Sequence, residues 1–295
     1  MKQSRSDAFG HVGAHGTGPI VSILRVGRLD RIDMQVPTST GTVTVPARFE
    51  GPPGSANGGW IAGTVAERLP EQDSSAGSGW AAEVVLRART PLDVTLTVEA
   101  AVDGGVRLLH DGTLLVEAHA VPDSIRANPA PFIELAAAEQ AAAAFPGFPG
   151  GGGHPFPNCF GCGTGRAPGD GLRLLAGPVP GGPPGLTATP WTVHPSLASA
   201  DGTIGRHLLW SALDCASFWV HQAALPTEAL AALLARQTVA VAGSVLPGET
   251  YVVVARADSA EGRKLRASSA LYARDGMLVA ACATLWIRIP PITQP

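Results

Sequence analysis

Residues 57–69 read NGGWIAGTVAERL and residues 205–222 read GRHLLWSALDCASFWVHQ, and the architecture can be built outward from these two stretches. In the first, apolar side chains recur every four positions from residue 61 to residue 69, which is typical of one face of an α-helix. The second is apolar almost throughout, with Asp214 in its middle. A helix that is apolar on nearly all sides must be enclosed by other elements. Both stretches are therefore predicted to be central helices.

The same order of strand-like runs surrounds both helices. One run precedes each helix and four runs follow it, which predicts an internal duplication of a unit of about 100 residues. The runs are residues 42–49, 80–89, 92–102, 106–111 and 113–121 in the first half, and residues 186–193, 237–246, 250–257, 264–273 and 277–289 in the second. An Asp-Gly pair, typical of a hairpin turn, separates the last two runs of each half. The second half is also predicted to contain a short helix over residues 228–234.

A long segment of unusual composition joins the two halves. Strong helix formers fill residues 132–145, and we expect a linker helix there. More than half of residues 146–184 are glycine or proline, a composition that excludes a helix or a central strand and indicates a linker wrapping a surface. The predicted organisation is a flexible N-terminal tail over residues 1–19, a first domain over 20–125, the linker over 126–184 and a second domain over 185–290.

Composition excludes several classes of function. The chain has 295 residues, of which 45% are hydrophobic and only 15% charged, and its formal charge is −3. Without a basic block, a protein that binds nucleic acid through phosphate neutralisation is disfavoured. No apolar run reaches the roughly 20 residues of a membrane-spanning helix, and the N-terminus lacks a signal-peptide core. We therefore expect a cytoplasmic protein with no nucleic-acid or membrane partner.

This arrangement resembles the hotdog fold, an α+β fold in which a curved antiparallel sheet wraps a central helix. Two copies in one chain resemble the double hotdog of acyl-CoA thioesterases. Asn57-Gly58-Gly59 stands where that superfamily often has His-Gly-Gly, and Glu67 follows Gly59 at the spacing of the acidic catalytic residue in phenylacetate-type thioesterases. The run CFGCG at 159–163, with GDGLRL at 169–174, is similar to a segment ahead of the fold in some thioesterase-like proteins.

The resemblance covers about residues 40–122 and 155–289, with two departures. Asn57 replaces the histidine, and the second helix starts with TIGR at 203–206 instead of a double glycine. Any activity carried over from the family could therefore reside in one half only.

The resemblance implies hydrolysis of an acyl thioester, with an acyl-CoA or related molecule as substrate. Free N–H groups at the start of the first helix, near Gly58, Gly59 and Trp60, would polarise the thioester carbonyl. Glu67 lies roughly 12 Å further along the same helix, too far to serve the same group. In the family the two helices run antiparallel, which pairs Gly59 with Asp214 and the start of the second helix with Glu67. Asp214 is preferred over Glu67 as the group that activates water or attacks the carbonyl, because burying an acid in so apolar a helix is costly unless the acid has a function.

Each of these residues also has a plainer interpretation. Glu67 could be a solvated charge at a helix end, and Asp214 a buried carboxylate satisfied by a hydroxyl or by Arg206. Asn57 could orient a ligand at the catalytic site, but it suits an ordinary helix N-cap better. His207 shares a helix face with Asp214. The residues expected to contact substrate are Gly58, Trp60, Arg206, His207 and Trp210. Phe218 is a further bulky group expected to line an acyl tunnel. Further candidates to bind the phosphates of CoA are Arg166, Arg173, Arg263 and Arg266.

The pair Cys159-x-x-Cys162 could belong to a zinc site. Zinc needs four ligands, and a second CxxC is missing. His154 could be a third ligand, but a fourth would have to come from elsewhere in the fold or from a subunit interface. A redox pair lacks its usual strand-to-helix context. We therefore expect structural thiols, no metal and no cofactor.

Two other functions remain open from the sequence. One is a non-catalytic protein that binds acyl-CoA or another hydrophobic ligand, since duplicated folds often lose a site. The other is a hydro-lyase similar to enoyl-CoA hydratases, which only Asp201 and His207 support. A homo-oligomer of double-hotdog chains is also a possible assembly.

Overall fold

Eleven strands of the described chain form one antiparallel sheet. The computed structural model describes residues 41–70, 80–126, 128–148, 153–225 and 230–290, so the predicted tail over residues 1–19 lies outside the described residues. The helices are α1 (Gly58–Ala66), α2 (Leu135–Ala143) and α3 (Arg206–Ala224). The strands are β1 (Gly41–Thr44), β2 (Trp80–Leu86), β3 (Thr95–Ala100), β4 (Val106–His110), β5 (Thr113–Pro122), β6 (Gly177–Pro178), β7 (Leu186–Thr192), β8 (Ala232–Val241), β9 (Thr250–Glu261), β10 (Lys264–Tyr272) and β11 (Leu278–Arg288).

The strand order repeats itself about the middle of the sheet. The order is β1-β3-β4-β5-β2-β8-β11-β10-β9-β7-β6. Strands β2 and β8 pair antiparallel at the centre, with Ala81 opposite Ala240 and Val85 opposite Arg236. Moving outward from this pair, each half presents its strands in the same succession, and the two-residue β6 is an addition at one edge. The strand and helix order predicted from the sequence is therefore present in both halves.

Helices α1 and α3 pack against each other as well as on the sheet. Helix α1 contacts β2, β4 and β5, and α3 contacts β7, β9 and β10. Gly59 of α1 faces Trp210 and Ser211 of α3, whereas Gly63, one turn later, faces His207, one turn earlier. The two helices therefore run antiparallel. In the described part of the chain, no helix combines the length and the apolar character needed to cross a membrane.

The second half of the sheet is covered on both faces. Along β9, Val253 and Ala255 join the core beneath α3, whereas Val252 and Val254 join a second cluster with Ala138 of α2. Successive strand residues point to opposite faces, so α2 covers the face away from α3. Helix α2 lies within residues 132–145, where the sequence predicts a helix.

Two local predictions were wrong. A short helix was expected over residues 228–234. Residues 228 and 229 lie outside the described residues, and from Ala232 onward the chain forms β8 instead. The alanine- and leucine-rich sequence there favours a helix, but its pairing between β2 and β11 overrides that preference. The first strand ends at Thr44 rather than at residue 49, and Ala47–Phe49 form a 3-10 helix after Pro46, which has no N–H for a ladder.

The described part of the glycine- and proline-rich linker enters the interior instead of only wrapping a surface. Phe160 and Leu174 are fully buried. The Phe160 N–H donates to the Glu50 carbonyl, and the Leu174 N–H donates to the Gly161 carbonyl. This segment is therefore fixed by backbone hydrogen bonds and by packing, and it brings residues 154–162 next to the start of α1.

Candidate active site

A cavity of about 360 Å³ lies between the start of α1, the middle of α3 and the linker segment. Strands β2, β8 and β11 complete its walls. Its polar side includes Asn57, Asp214 and three cysteines, and its apolar side includes Phe218 and Trp286. A mostly apolar cavity of this size with a few converging polar groups is typical of a small-molecule site.

Asp214 is the only carboxylate among the described residues that line this cavity. Its side chain is almost fully buried, at 1% exposure. Oδ2 accepts hydrogen bonds from the Gly59 N–H at 2.9 Å and from the Asn57 side-chain amide at 3.1 Å. Oδ1 has no hydrogen-bond partner within the described part of the chain. Burial raises the pKa of Asp214 to about 8, because its effect outweighs that of the two hydrogen bonds, which lower the pKa. A group of this kind can exchange a proton near neutral pH.

Asn57 is the N-cap of α1 and also contacts the Asp214 carboxyl group. Its Oδ1 accepts from the Trp60 N–H at 2.9 Å, which makes it the N-cap of α1, and from the Ser211 hydroxyl at 2.8 Å. Its side-chain nitrogen donates to Asp214. Because both ends of the amide are engaged, Asn57 holds the Asp214 carboxyl in one orientation.

The glycines at the start of α1 have different surroundings. The Gly59 N–H is used by Asp214 and is therefore not a free donor in this arrangement. Gly58 lines the cavity, and the first N–H of a helix has no partner within that helix. A Cβ built on Gly58 would lie 3.6 Å from Asp214 Oδ2. Gly58 is thus the cavity-lining residue of α1 that lies next to the Asp214 carboxyl group.

Glu67 lies at the other end of the helix pair. It accepts from the His207 N–H at 2.8 Å and lies 3.1 Å from the His207 ring nitrogen Nδ1, so it caps α3. Burial alone would raise the pKa of Glu67, but the hydrogen bonds and charge of His207 outweigh it and hold that pKa below its usual value. The structure thus pairs Gly59 with Asp214 and the start of α3 with Glu67, and only the first pair adjoins the cavity.

Glu67→Gln is expected to lower the free energy of unfolding at neutral pH by about 0.5–1 kcal/mol, because a charge at the start of α3 is lost. The folded-state pKa of Glu67 lies below its unfolded value near 4.5, so its stabilisation is present above that pH and disappears as the pH falls through the folded pKa. Urea unfolding of parent and variant across this range measures the difference. A difference that persists undiminished in strong acid would contradict the assignment.

Most of the other residues expected to contact substrate lie elsewhere. Among the described residues that line the cavity, Trp60, Arg206, His207 and Trp210 are absent, whereas Phe218 is present. Trp60 instead stacks on Phe49 with ring centroids 4.3 Å apart. Asp201, the basis of the hydro-lyase alternative, binds Thr203 in an exposed turn.

The arginines at the cavity are not among those predicted from the sequence. Arg87 and Arg89, which follow β2, line it, whereas the five candidates named from the sequence do not. Arg87 is paired with Glu117, and Arg89 donates only to the Pro53 carbonyl among the contacts of the described chain. In the sequence, these two arginines form the R-x-R at residues 87–89, which ends the second strand-like run. Nothing in the sequence indicates that this run lies near the site.

A cluster of three cysteines also adjoins the site, and its third member was not predicted from the sequence. Cys159 and Cys162 meet Cys215 of α3, which lies directly after Asp214. Hydrogen bonds from the thiols of Cys162 and Cys215 hold the pKa of Cys159 well below its usual value. Cys282 lies apart on β11, where burial raises the pKa of its thiol to about 12.

A scan against protein-family models finds no matching model, and a search of curated proteins finds no match. Solved structures do match. A TesB protein of Mycobacterium avium subspecies paratuberculosis is 15% identical, with a TM-score of 0.57 over 85% of this chain and 93% of that one. The acyl-CoA thioesterase II TesB2 of Mycobacterium marinum is 15% identical, with a TM-score of 0.53 over 86% of this chain and 94% of that one. The chain therefore shares the fold of these TesB proteins, and its large antiparallel sheet with few helices fits a hotdog fold.

Proposed function

We propose that this chain hydrolyses an acyl thioester of the acyl-CoA type in the cavity beside α1 and α3. The observation that carries the proposal is the Asp214 carboxyl group, which is buried at the cavity, held by the start of α1 through Oδ2 and unpartnered at Oδ1 among the described residues. The fold shared with TesB proteins supports the same reaction class.

The proposed reaction needs only water and residues of this chain. The acyl group lies along the apolar wall that includes Phe218 and Trp286, and its carbonyl oxygen accepts from the Gly58 N–H. Asp214 Oδ1 takes a proton from water as the water oxygen bonds to the carbonyl carbon. The carbon–sulfur bond then breaks, and Asp214 returns the proton to the leaving thiolate.

We further propose that the two halves are two hotdog units, with the boundaries given above, and that only one of the two equivalent positions is a working site. The matching succession of strands about the β2–β8 pair supports the duplication. The different surroundings of the two acids support a single site, because Asp214 adjoins the cavity whereas Glu67 caps α3.

Arg89→Ala is expected to raise KM for acyl-CoA about tenfold with little change in kcat, since the phosphates of CoA would bind this exposed guanidinium near the cavity. A thioester of pantetheine, which lacks the nucleotide, should show no such difference between parent and variant. Arg107→Ala, an exposed arginine on β4, is the matched control. Equal changes in KM for both substrates would contradict a phosphate contact.

The proposed function is tested by thiol release from short, medium, long and aromatic acyl-CoAs, measured alongside binding of each compound. Turnover of at least one of them is expected. Tight binding of an acyl-CoA with no turnover would overturn the hydrolase proposal in favour of the ligand-binding alternative. Since neither Asp201 nor His207 lines the cavity, we do not propose the hydro-lyase.

A further inference from the structure

Three cysteines from two distant parts of the chain meet beside the cavity. Cys159 and Cys162 lie on the linker segment, and Cys215 lies on α3, 56 residues after Cys159. The three Sγ atoms all lie within 4.8 Å of one another, and those of Cys159 and Cys215 are 3.7 Å apart. All three thiols are free and buried. Such convergence of soft ligands is what a thiophilic metal ion requires.

We propose that Cys159, Cys162 and Cys215 form a binding site for one thiophilic divalent cation, with Zn²⁺ as the reference ion. Zinc–sulfur bonds of about 2.3 Å in tetrahedral geometry place two thiolate sulfurs about 3.8 Å apart. The Cys159–Cys215 separation of 3.7 Å already matches this value. Because all three cysteines line the cavity, the fourth position of the ion is left to water or to a molecule in the cavity.

Nitrogen donors surround the three sulfur atoms. The Asn57 side-chain nitrogen lies 3.7 Å from Cys159 Sγ and 3.8 Å from Cys215 Sγ. His154 Nε2 lies 3.2 Å from Cys162 Sγ. One divalent cation with three thiolates carries one net negative charge, which N–H donors of this kind stabilise while they orient the ligands. Cysteines that only fill apolar space need no such donors.

His154 acts in this site as a donor and not as a ligand. Its Nδ1 accepts a hydrogen bond from the Phe156 N–H at 2.9 Å, so the proton of the neutral ring is on Nε2. A protonated Nε2 has no lone pair for a metal and donates to Cys162 instead. This corrects the possible third ligand considered from the sequence, whose place is taken by Cys215.

The ion would connect the linker segment to α3. Two ligands come from the segment and one from the helix, so binding would restrict the movement of one relative to the other. Gly161, between the two linker cysteines, permits this approach, since a Cβ there would lie 2.6 Å from Cys215 Sγ. Binding of the ion should therefore raise the melting temperature of the full chain.

The test is a titration of the reduced, metal-free full chain with Co²⁺ and then Zn²⁺. We expect one ion per chain, an intense thiolate-to-cobalt charge-transfer absorption, its displacement by Zn²⁺ and a higher melting temperature. Cys215→Ser and Cys162→Ser should each weaken binding by at least tenfold. Cys282→Ser, a buried free cysteine outside the cluster, is the matched control and should bind like the parent.

Two results would overturn the proposal. One is a parent protein that, with all thiols reduced, gives no charge-transfer absorption at an excess of Co²⁺. This is also the result expected if the cysteines serve only to form a disulfide and bind no metal. The other is cobalt binding by Cys162→Ser and Cys215→Ser as tight as that of the parent. If Cys215→Ser does not fold by circular dichroism, Cys162→Ser on the linker segment and the parent spectrum decide. The readout is metal binding, so it does not depend on thioesterase activity.

Discussion

Asp214→Asn is expected to lower kcat for acyl-CoA hydrolysis by about 10²–10⁴-fold, because the variant loses the group that takes the proton from water. The asparagine has the same shape, and its side-chain oxygen can accept both hydrogen bonds that now reach Asp214 Oδ2, from Gly59 and Asn57. The fold should therefore persist. Removal of a buried carboxyl group should leave the free energy of unfolding unchanged or higher. Steady-state thiol release and urea unfolding measure the two effects separately.

Glu67→Gln provides the comparison, since it makes the same acid-to-amide change at the other end of the helix pair. Its carboxylate caps α3, and Glu67 is absent from the described residues that line the cavity. We expect kcat to change less than twofold in this variant. Loss of turnover in Glu67→Gln but not in Asp214→Asn would move the chemistry to the start of α3 and contradict the assignment of Asp214.

Gly63→Ala is expected to lower the free energy of unfolding by about 2 kcal/mol or more, which makes it the largest expected effect on stability. A Cβ at this position would lie 2.5 Å from the His207 Cα and 2.9 Å from the Trp210 Cβ. Since the first is a backbone atom, α1 and α3 would have to move apart. Alanine is by itself the better helix former by about 1 kcal/mol, so a net loss would show that helix packing dominates.

The matched control for this change is Gly243→Ala. A Cβ on Gly243 would meet Val279 atoms only at 3.8 Å, which is an ordinary contact. Both variants are compared with the parent by thermal and urea unfolding. Gly63→Ala with the stability of the parent would contradict the close approach of the two helices that positions Asp214 against the start of α1.

Local pattern was sufficient to predict most of the elements. The periodicity of residues 57–69 and the continuous apolar run of residues 205–222 predicted α1 and α3, because the spacing of apolar side chains reflects which face of an element is buried. The Asp-Gly pair at 111–112 predicted a hairpin turn, and both residues have the positive φ that such a turn requires. The prediction failed at Ala232, where the helix preference of the residues was opposed by pairing to two neighbouring strands.

The site was only partly within reach of the sequence. The resemblance to thioesterases paired Gly59 with Asp214, and the structure has this contact at 2.9 Å. The meeting of Cys215 with Cys159 and the position of Arg89 at the cavity could not be predicted, because residues far apart in sequence are brought together by packing and not by local periodicity. The sequence by itself determined two enclosed helices, a repeated order of strands and an acid in an apolar environment. Only the tertiary structure decided which groups surround that acid, since the glycines of α1 let two helix backbones approach and the linker enters the interior beside them.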